Sequence, residues 1–131
     1  MENDQIKSAV REVIENHATI LNNATVDKLY TCYSNDAIFI PDGYQKLYYG
    51  DIAKLKSGKS LKNSQFQINY EFEELSIDKS YAFVNAVAIT KTKVEDTVTS
   101  RKSSDSFVLK LIGTEWKIYR HIFNNVTEIK N

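Results

Sequence analysis

The stretch Glu115-Trp116-Lys117-Ile118-Tyr119-Arg120-His121-Ile122-Phe123-Asn124-Asn125 follows a polar break at Gly113-Thr114 and contains neither glycine nor proline. Read with period two, it has two faces. Trp116, Ile118, Arg120, Ile122 and Asn124 form one; Lys117, Tyr119, His121, Phe123 and Asn125 form the other. Large apolar groups occur on both, so neither face can simply meet water. A strand of this kind sits centrally in a sheet that is covered on both sides. The second face also sets Tyr119 and His121 beside Phe123. Greasy walls with a few polar tips line small-molecule pockets. The plainer reading is a core strand whose Tyr and His are satisfied by hydrogen bonds.

The residues before this stretch supply its sheet. Gln65 to Ile77 alternates, with Phe66, Ile68, Tyr70 and Phe72 on one side. Asp78-Lys79 turns the chain into a strand from Tyr81 to Lys93, whose Ala82, Val84, Ala86 and Ala88 lie opposite Phe83, Val87 and Ile89. Glu95-Asp96 leads to a third strand, Thr97 to Ile112. Short turns between alternating strands give an antiparallel sheet. Earlier still, Ile6, Val10, Val13, Ile14, His17 and Leu21 recur at helical spacing between Asp4, a possible N-cap, and Asn22-Asn23. His17 falls in this apolar stripe, as a core-edge imidazole or a pocket group. A second helix is expected from Thr25 to about Ser34, with Leu29 and Tyr33 facing inward. A short strand Ala37–Ile40, a Pro41-Asp42-Gly43 break and a short helix from Ile52 to about Leu55 follow. Helices first and strands later make an α+β domain, with one domain expected over residues 1–131.

Charge and cysteine content narrow the function classes. Lys+Arg and Asp+Glu both number 17, so no basic footprint for nucleic acid exists and little net charge opposes self-association. The run Lys54, Lys56, Lys59, Lys62 reads as solvated surface. Cys32, the one cysteine, excludes an internal disulfide and suggests a reducing, cytoplasmic compartment. The start, Met1-Glu2-Asn3-Asp4, is acidic and carries no apolar signal region. No apolar run reaches the ~20 residues of a membrane span. His17 and His121 are the only histidines, so one chain cannot build a three-histidine metal site, and no metal is expected. Nucleotide-loop, zinc-protease and nucleophile-elbow motifs are absent, so no cofactor is expected.

The order of pieces carries a resemblance. Leu21-Asn22-Asn23-Ala24-Thr25-Val26-Asp27 between helices, then Ser34-Asn35-Asp36-Ala37-Ile38-Phe39-Ile40-Pro41-Asp42-Gly43, resembles the opening of the nuclear-transport-factor-2-like superfamily, which includes SnoaL-like cyclases and ketosteroid isomerases. The closing Trp116 to Asn124 resembles its DUF4440 and SgcJ/EcaC-type branch. The resemblance implies a cone-shaped, curved antiparallel sheet wrapped around N-terminal helices, with a pocket in the cone. It also implies a homodimer packed sheet against sheet, here with Trp116, Ile118 and Ile122 outward. The isomerases' aspartate base would fall at Ile40, with Asp42 beyond Pro41. Their helix-borne tyrosine would fall at His17, and their second donor near Phe107, with Asp105 two residues earlier. Their constellation is absent as such.

Three functions follow as expectations. The first is binding of a small, largely apolar ligand by His17, Tyr33, Tyr119, His121 and Phe123. The second is isomerase, lyase or hydratase chemistry on a polyketide- or steroid-like substrate. There His121 would be general acid/base, tuned by Tyr119 or Asp42. The third is a non-catalytic module that uses its sheet face.

Overall fold

The computed structural model describes residues 2–130; Met1, the first residue of the acidic N-terminal stretch, and Asn131 lie outside it. Helix α1 (Glu2–Asn22) begins two residues before the expected cap, so Asp4 lies in its first turn, where a negative charge suits the helix dipole. A 3-10 helix, Val26–Cys32, follows. Strands β1 (Tyr33–Ile40) and β2 (Leu47–Tyr48), short helices α2 (Tyr49–Ala53) and α3 (Lys59–Asn63), and strands β3 (Gln67–Asp78), β4 (Tyr81–Val94), β5 (Thr97–Ile112) and β6 (Glu115–Glu128) complete the order.

The six strands form one curved, unclosed sheet in the order β2-β1-β6-β5-β4-β3. With the N-terminal helices this is an α+β fold. Hairpin neighbours pair antiparallel, as expected, but β1 pairs parallel with β6. Nearly the whole sheet separates these two strands in sequence, so no hairpin dictates their direction. The expected second helix is replaced by the 3-10 turn, and Tyr33 opens β1 instead, opposite Ile118 of β6. Val26, Tyr30, Thr31 and Cys32 are weak helix formers, and the strand pairing decides the outcome.

The core lies between α1 and the sheet. Val10 and Ile14 of α1 meet Leu29, Val84, Phe107, Leu109, Trp116 and Ile118. Asn22, at the end of α1, ties down the edge strand β3. Its Nδ2 donates to the Ile68 carbonyl at 2.9 Å, and its Oδ1 accepts the Ile68 N–H at 2.7 Å. Gly58 lies against the chain just after α1, where a Cβ would meet the Ala24 carbonyl oxygen at 2.0 Å. No helix among the described residues is long and apolar enough to cross a membrane.

One irregularity decides what faces inward. Across β5 and β6, Val108 pairs with Arg120 and Leu109 with Ile118, which leaves Tyr119 as an extra residue. An inserted residue reverses the alternation beyond it. Trp116 and Ile118, before the bulge, and His121 and Phe123, after it, therefore share the inner face. This corrects the outward assignment of Trp116 and Ile118, which are buried in the core. Ile122 alone of that trio faces out, 41% exposed. Tyr119 is likewise displaced from the expected pocket. Its ring lies between Lys110 Nζ at 4.4 Å and the Arg120 guanidinium at 3.9 Å. A similar extra residue in β3, between Phe72 and Glu74, brings Leu75 and Ile77 back to the core.

Candidate functional site

Between α1 and the sheet opens a cavity of about 760 Å³. Apolar side chains including Leu21, Phe39, Phe66, Ile68 and Phe123 line it. The helical stripe brings His17 to its wall, β1 brings Tyr33, β3 brings Tyr70, β5 brings Asp105 and β6 brings His121.

Two buried polar groupings meet there. In the first, His17 sits between two phenols. Its Nε2 lies 2.9 Å from the Tyr33 hydroxyl and its Nδ1 3.3 Å from the Tyr70 hydroxyl. Burial, with a smaller contribution from His121, depresses the His17 pKa to about 3, so the imidazole is neutral. Burial likewise raises both tyrosines far above the ordinary phenol range, so they stay protonated. In the second, His121 Nε2 lies 2.9 Å from Asp105 Oδ2, while the Ser103 hydroxyl donates to Asp105 Oδ1 at 2.6 Å. The His121 ring is held between Phe107 and Phe39, with centroids 4.0 and 4.6 Å away and planes inclined by 16°. The rings of His17 and His121 meet edge to face at 5.7 Å.

Burial lowers the His121 pKa, and the hydrogen bond and charge of Asp105 offset part of that shift. A neutral imidazole facing a carboxylate carries its proton on that side. The proton is therefore on Nε2, and Nδ1 presents a lone pair. Nδ1 is buried and has no hydrogen-bond partner among the described residues. Leaving such an atom unpaired costs about 1–3 kcal/mol. The arrangement is a fixed, desolvated base oriented by a carboxylate.

His17, Tyr33, His121 and Phe123, expected together from the sequence, do converge on the cavity wall. Tyr33 arrives from β1 rather than from a helix. Tyr119 does not line the cavity, because the bulge turns it outward. Asp42 stands exposed at the cavity mouth, and its Oδ2 accepts the Val126 N–H at 3.5 Å. Neither Tyr119 nor Asp42 tunes His121; Asp105 does. The sequence reading placed Asp105 only near an expected donor and left Tyr70 among the strand's apolar residues. Period-two alternation through Asp105, Phe107 and Leu109 is the signal that puts Asp105 on the buried face. Among the described residues, no three His, Cys, Asp or Glu side chains gather as a metal site.

A curved sheet closed on one side by helices, with an apolar cavity and paired polar groups inside, defines the class as an α+β domain with an internal cavity. A family model described as "SnoaL-like domain" matches residues 10–123. The chain belongs to this SnoaL-like family. No curated protein matches it. Among solved structures it is similar to a nuclear-transport-factor-2-like protein with a cystatin-like fold from Novosphingobium aromaticivorans. That match has 14% identity and a TM-score of 0.80, and covers 93% of this chain and 80% of that one. It is also similar to a ketosteroid isomerase-like protein from Erwinia carotovora atroseptica, with 17% identity, a TM-score of 0.73 and coverage of 95% and 97%. A third, provisionally named a scytalone dehydratase, also comes from N. aromaticivorans, with 12% identity, a TM-score of 0.73 and coverage of 99% and 92%. At these identities the likeness establishes the fold.

Proposed function

We propose that the cavity binds a small, largely apolar molecule and that His121 acts on it as a general base, in chemistry of the isomerase, lyase or hydratase kind. The supporting observation is the His121–Asp105 pair, with Nε2 engaged and Nδ1 buried without a partner. A cavity of about 760 Å³ suits a bicyclic to polycyclic ligand, which fits a polyketide- or steroid-like class. Two structural relatives bear the names of an isomerase-like protein and a dehydratase, both proton-transfer activities. The DUF4440-type branch and a cytoplasmic location belong to this reading on the sequence alone.

2-Tetralone, a bicyclic apolar ketone with acidic α-protons, tests the reading. In D2O the protein should accelerate loss of its α-proton NMR signals. His121→Gln should slow this by about 10²-fold or more, the scale of a lost general base. The inflection of the rate–pH profile should lie below the ordinary imidazole value, because burial lowers the His121 pKa. No acceleration by the wild type, or acceleration untouched in His121→Gln, would refute the base.

Self-association is proposed through the outer sheet face. Phe83 and Ile122 stand 45% and 41% exposed there. Sedimentation should show a dimer at micromolar concentration, and Ile122→Asp combined with Phe83→Asp a monomer. A monomeric wild type would remove this part of the proposal.

A further inference from the structure

The two ends of the cavity differ in chemistry. At the inner end most polar groups satisfy one another: His17 binds the Tyr33 and Tyr70 hydroxyls, and Asp105 binds His121 and Ser103. Leu21, Phe66 and Ile68 make the walls apolar. At the open end stand Arg101 and Lys102 of β5, both exposed and both lining the cavity.

Strand register places the first of these cations. Arg101 alternates with Ser103 and Asp105 on the inner face of β5, and its partner on β4 is Thr90, which also lines the cavity. Neither Arg101 nor Lys102 enters an ion pair among the described residues. Two carboxylates are nearby without neutralising them. Asp42 at the mouth accepts the Val126 N–H at 3.5 Å, and Glu128, the register partner of Arg101 on β6, stays off the cavity lining. Four residues of strand set Arg101 roughly 13 Å from Asp105 along β5. The buried Asp105 carboxylate repels a second anion at the inner end, whereas the mouth keeps an anion in contact with water.

We infer that the cavity takes a carboxylic acid, with its apolar body against the inner walls and its carboxylate at the mouth on the Arg101 guanidinium. Lys102 and the Thr90 hydroxyl are further donors to the same group. A guanidinium is a planar fork that matches a carboxylate with two parallel hydrogen bonds. A neutral apolar ligand would fill the walls and leave that fork to water. This rests on the ligand-binding half of the reading above, is independent of the base, and adds the class of ligand. An apolar body of roughly 10 Å spans the distance from the arginine to the inner polar groups.

The test uses fluorescent 2-anthracenecarboxylate and its methyl ester, which has the same rings without the charge. In anisotropy titrations the acid should bind the wild type roughly tenfold more tightly than the ester, the scale of one charge-assisted contact. Added salt should weaken the acid and spare the ester. Arg101→Gln, an exposed change outside the core, should remove the acid's advantage and leave the ester's affinity unchanged. Arg101→Lys should restore part of it, and Lys102→Gln should cost less than Arg101→Gln. Benzoate should bind far more weakly than the anthracene acid, because the rings supply the burial. Benzoate binding as tightly as the anthracene acid would place the anion on the surface alone and overturn the inference. So would an ester that binds as well as the acid, or an Arg101→Gln protein that loses both ligands equally. An ester bound with no preference for the acid would leave the cavity reading intact while removing the carboxylate. Binding of neither probe would overturn both. An acid preference that depends on Arg101, without tetralone exchange, would retain this inference and refute the base.

Discussion

Acid should destabilise this fold through His17 before most carboxylates matter. The ring moves from an ordinary pKa of 6.5 to about 3 on folding, mainly through burial. The folded state therefore favours the neutral form, and the unfolded chain binds the proton more tightly. The stability contributed is fully present above about pH 6.5 and is lost as pH falls toward 3. Between pH 7 and pH 4 the loss from this one group is on the order of 3 kcal/mol, a large fraction of a typical domain's stability. His121 shifts in the same direction and adds to it. Asp36 is also depressed, by its hydrogen bond to Lys110, but it loses its contribution only below its ordinary value of 3.8. Urea unfolding at pH 7, 5.5 and 4 measures the effect, for the wild type and for His17→Gln, which cannot titrate. Common carboxylate effects cancel in the difference between the two proteins. That difference should move by about 3 kcal/mol against the wild type between pH 7 and pH 4. A difference constant within about 1 kcal/mol, or one moving the other way, would refute the buried neutral imidazole.

Three further outcomes follow from named contacts. Asp105→Asn removes the charged acceptor of His121 and of Ser103, so urea unfolding should show a loss of about 1–3 kcal/mol. The same change should slow tetralone exchange and move its pH inflection lower still, because the influence that raises the His121 pKa is gone. Gly58→Ala forces a methyl onto the Ala24 carbonyl, and thermal melting should report a destabilisation of about 1–3 kcal/mol. Asn22→Ala unties β3 from α1 and should speed hydrogen exchange at the Ile68 amide well beyond that of β4 amides.

The helix and the four long strands were legible in the sequence because each has an uninterrupted period. Val10, Ile14 and His17 repeat at helical spacing, and Ala82 to Ala88 alternate along β4. The segment from Thr25 to Ser34 was misread because local spacing resembles a helix while its partner, Ile118, lies far along the chain. Long-range pairing overrides weak propensity in that situation. The short helices α2 and α3 carry too few residues for a periodic signal; α2 was partly expected and α3 was not. His17, His121 and Phe123 fall on the cavity side by face counting and Tyr33 reaches it from a strand rather than the expected helix, while one bulge is enough to misplace Tyr119, Trp116 and Ile118.

That bulge also explains why the site is where it is. Without the extra residue at Tyr119, a single alternation would run through β6, and His121 could not share a face with Trp116 and Ile118. Either the core would lose its Trp and Ile, or the cavity would lose its imidazole. The inserted residue lets one strand supply a sealed apolar core before the bulge and a buried imidazole after it. Tyr119, the residue expelled, still has a stable position, because Lys110 and Arg120 cover its ring on the outer face. Beyond the bulge, Phe107 of β5 is the register partner of His121, and Phe39 of β1 pairs with it from the other side. The two neighbouring strands thus deliver the two phenyl rings that strip water from the imidazole. Asp105, two residues from Phe107 on the same face, supplies the carboxylate that orients it. Strand register alone therefore assembles the buried imidazole, its desolvating walls and its orienting carboxylate.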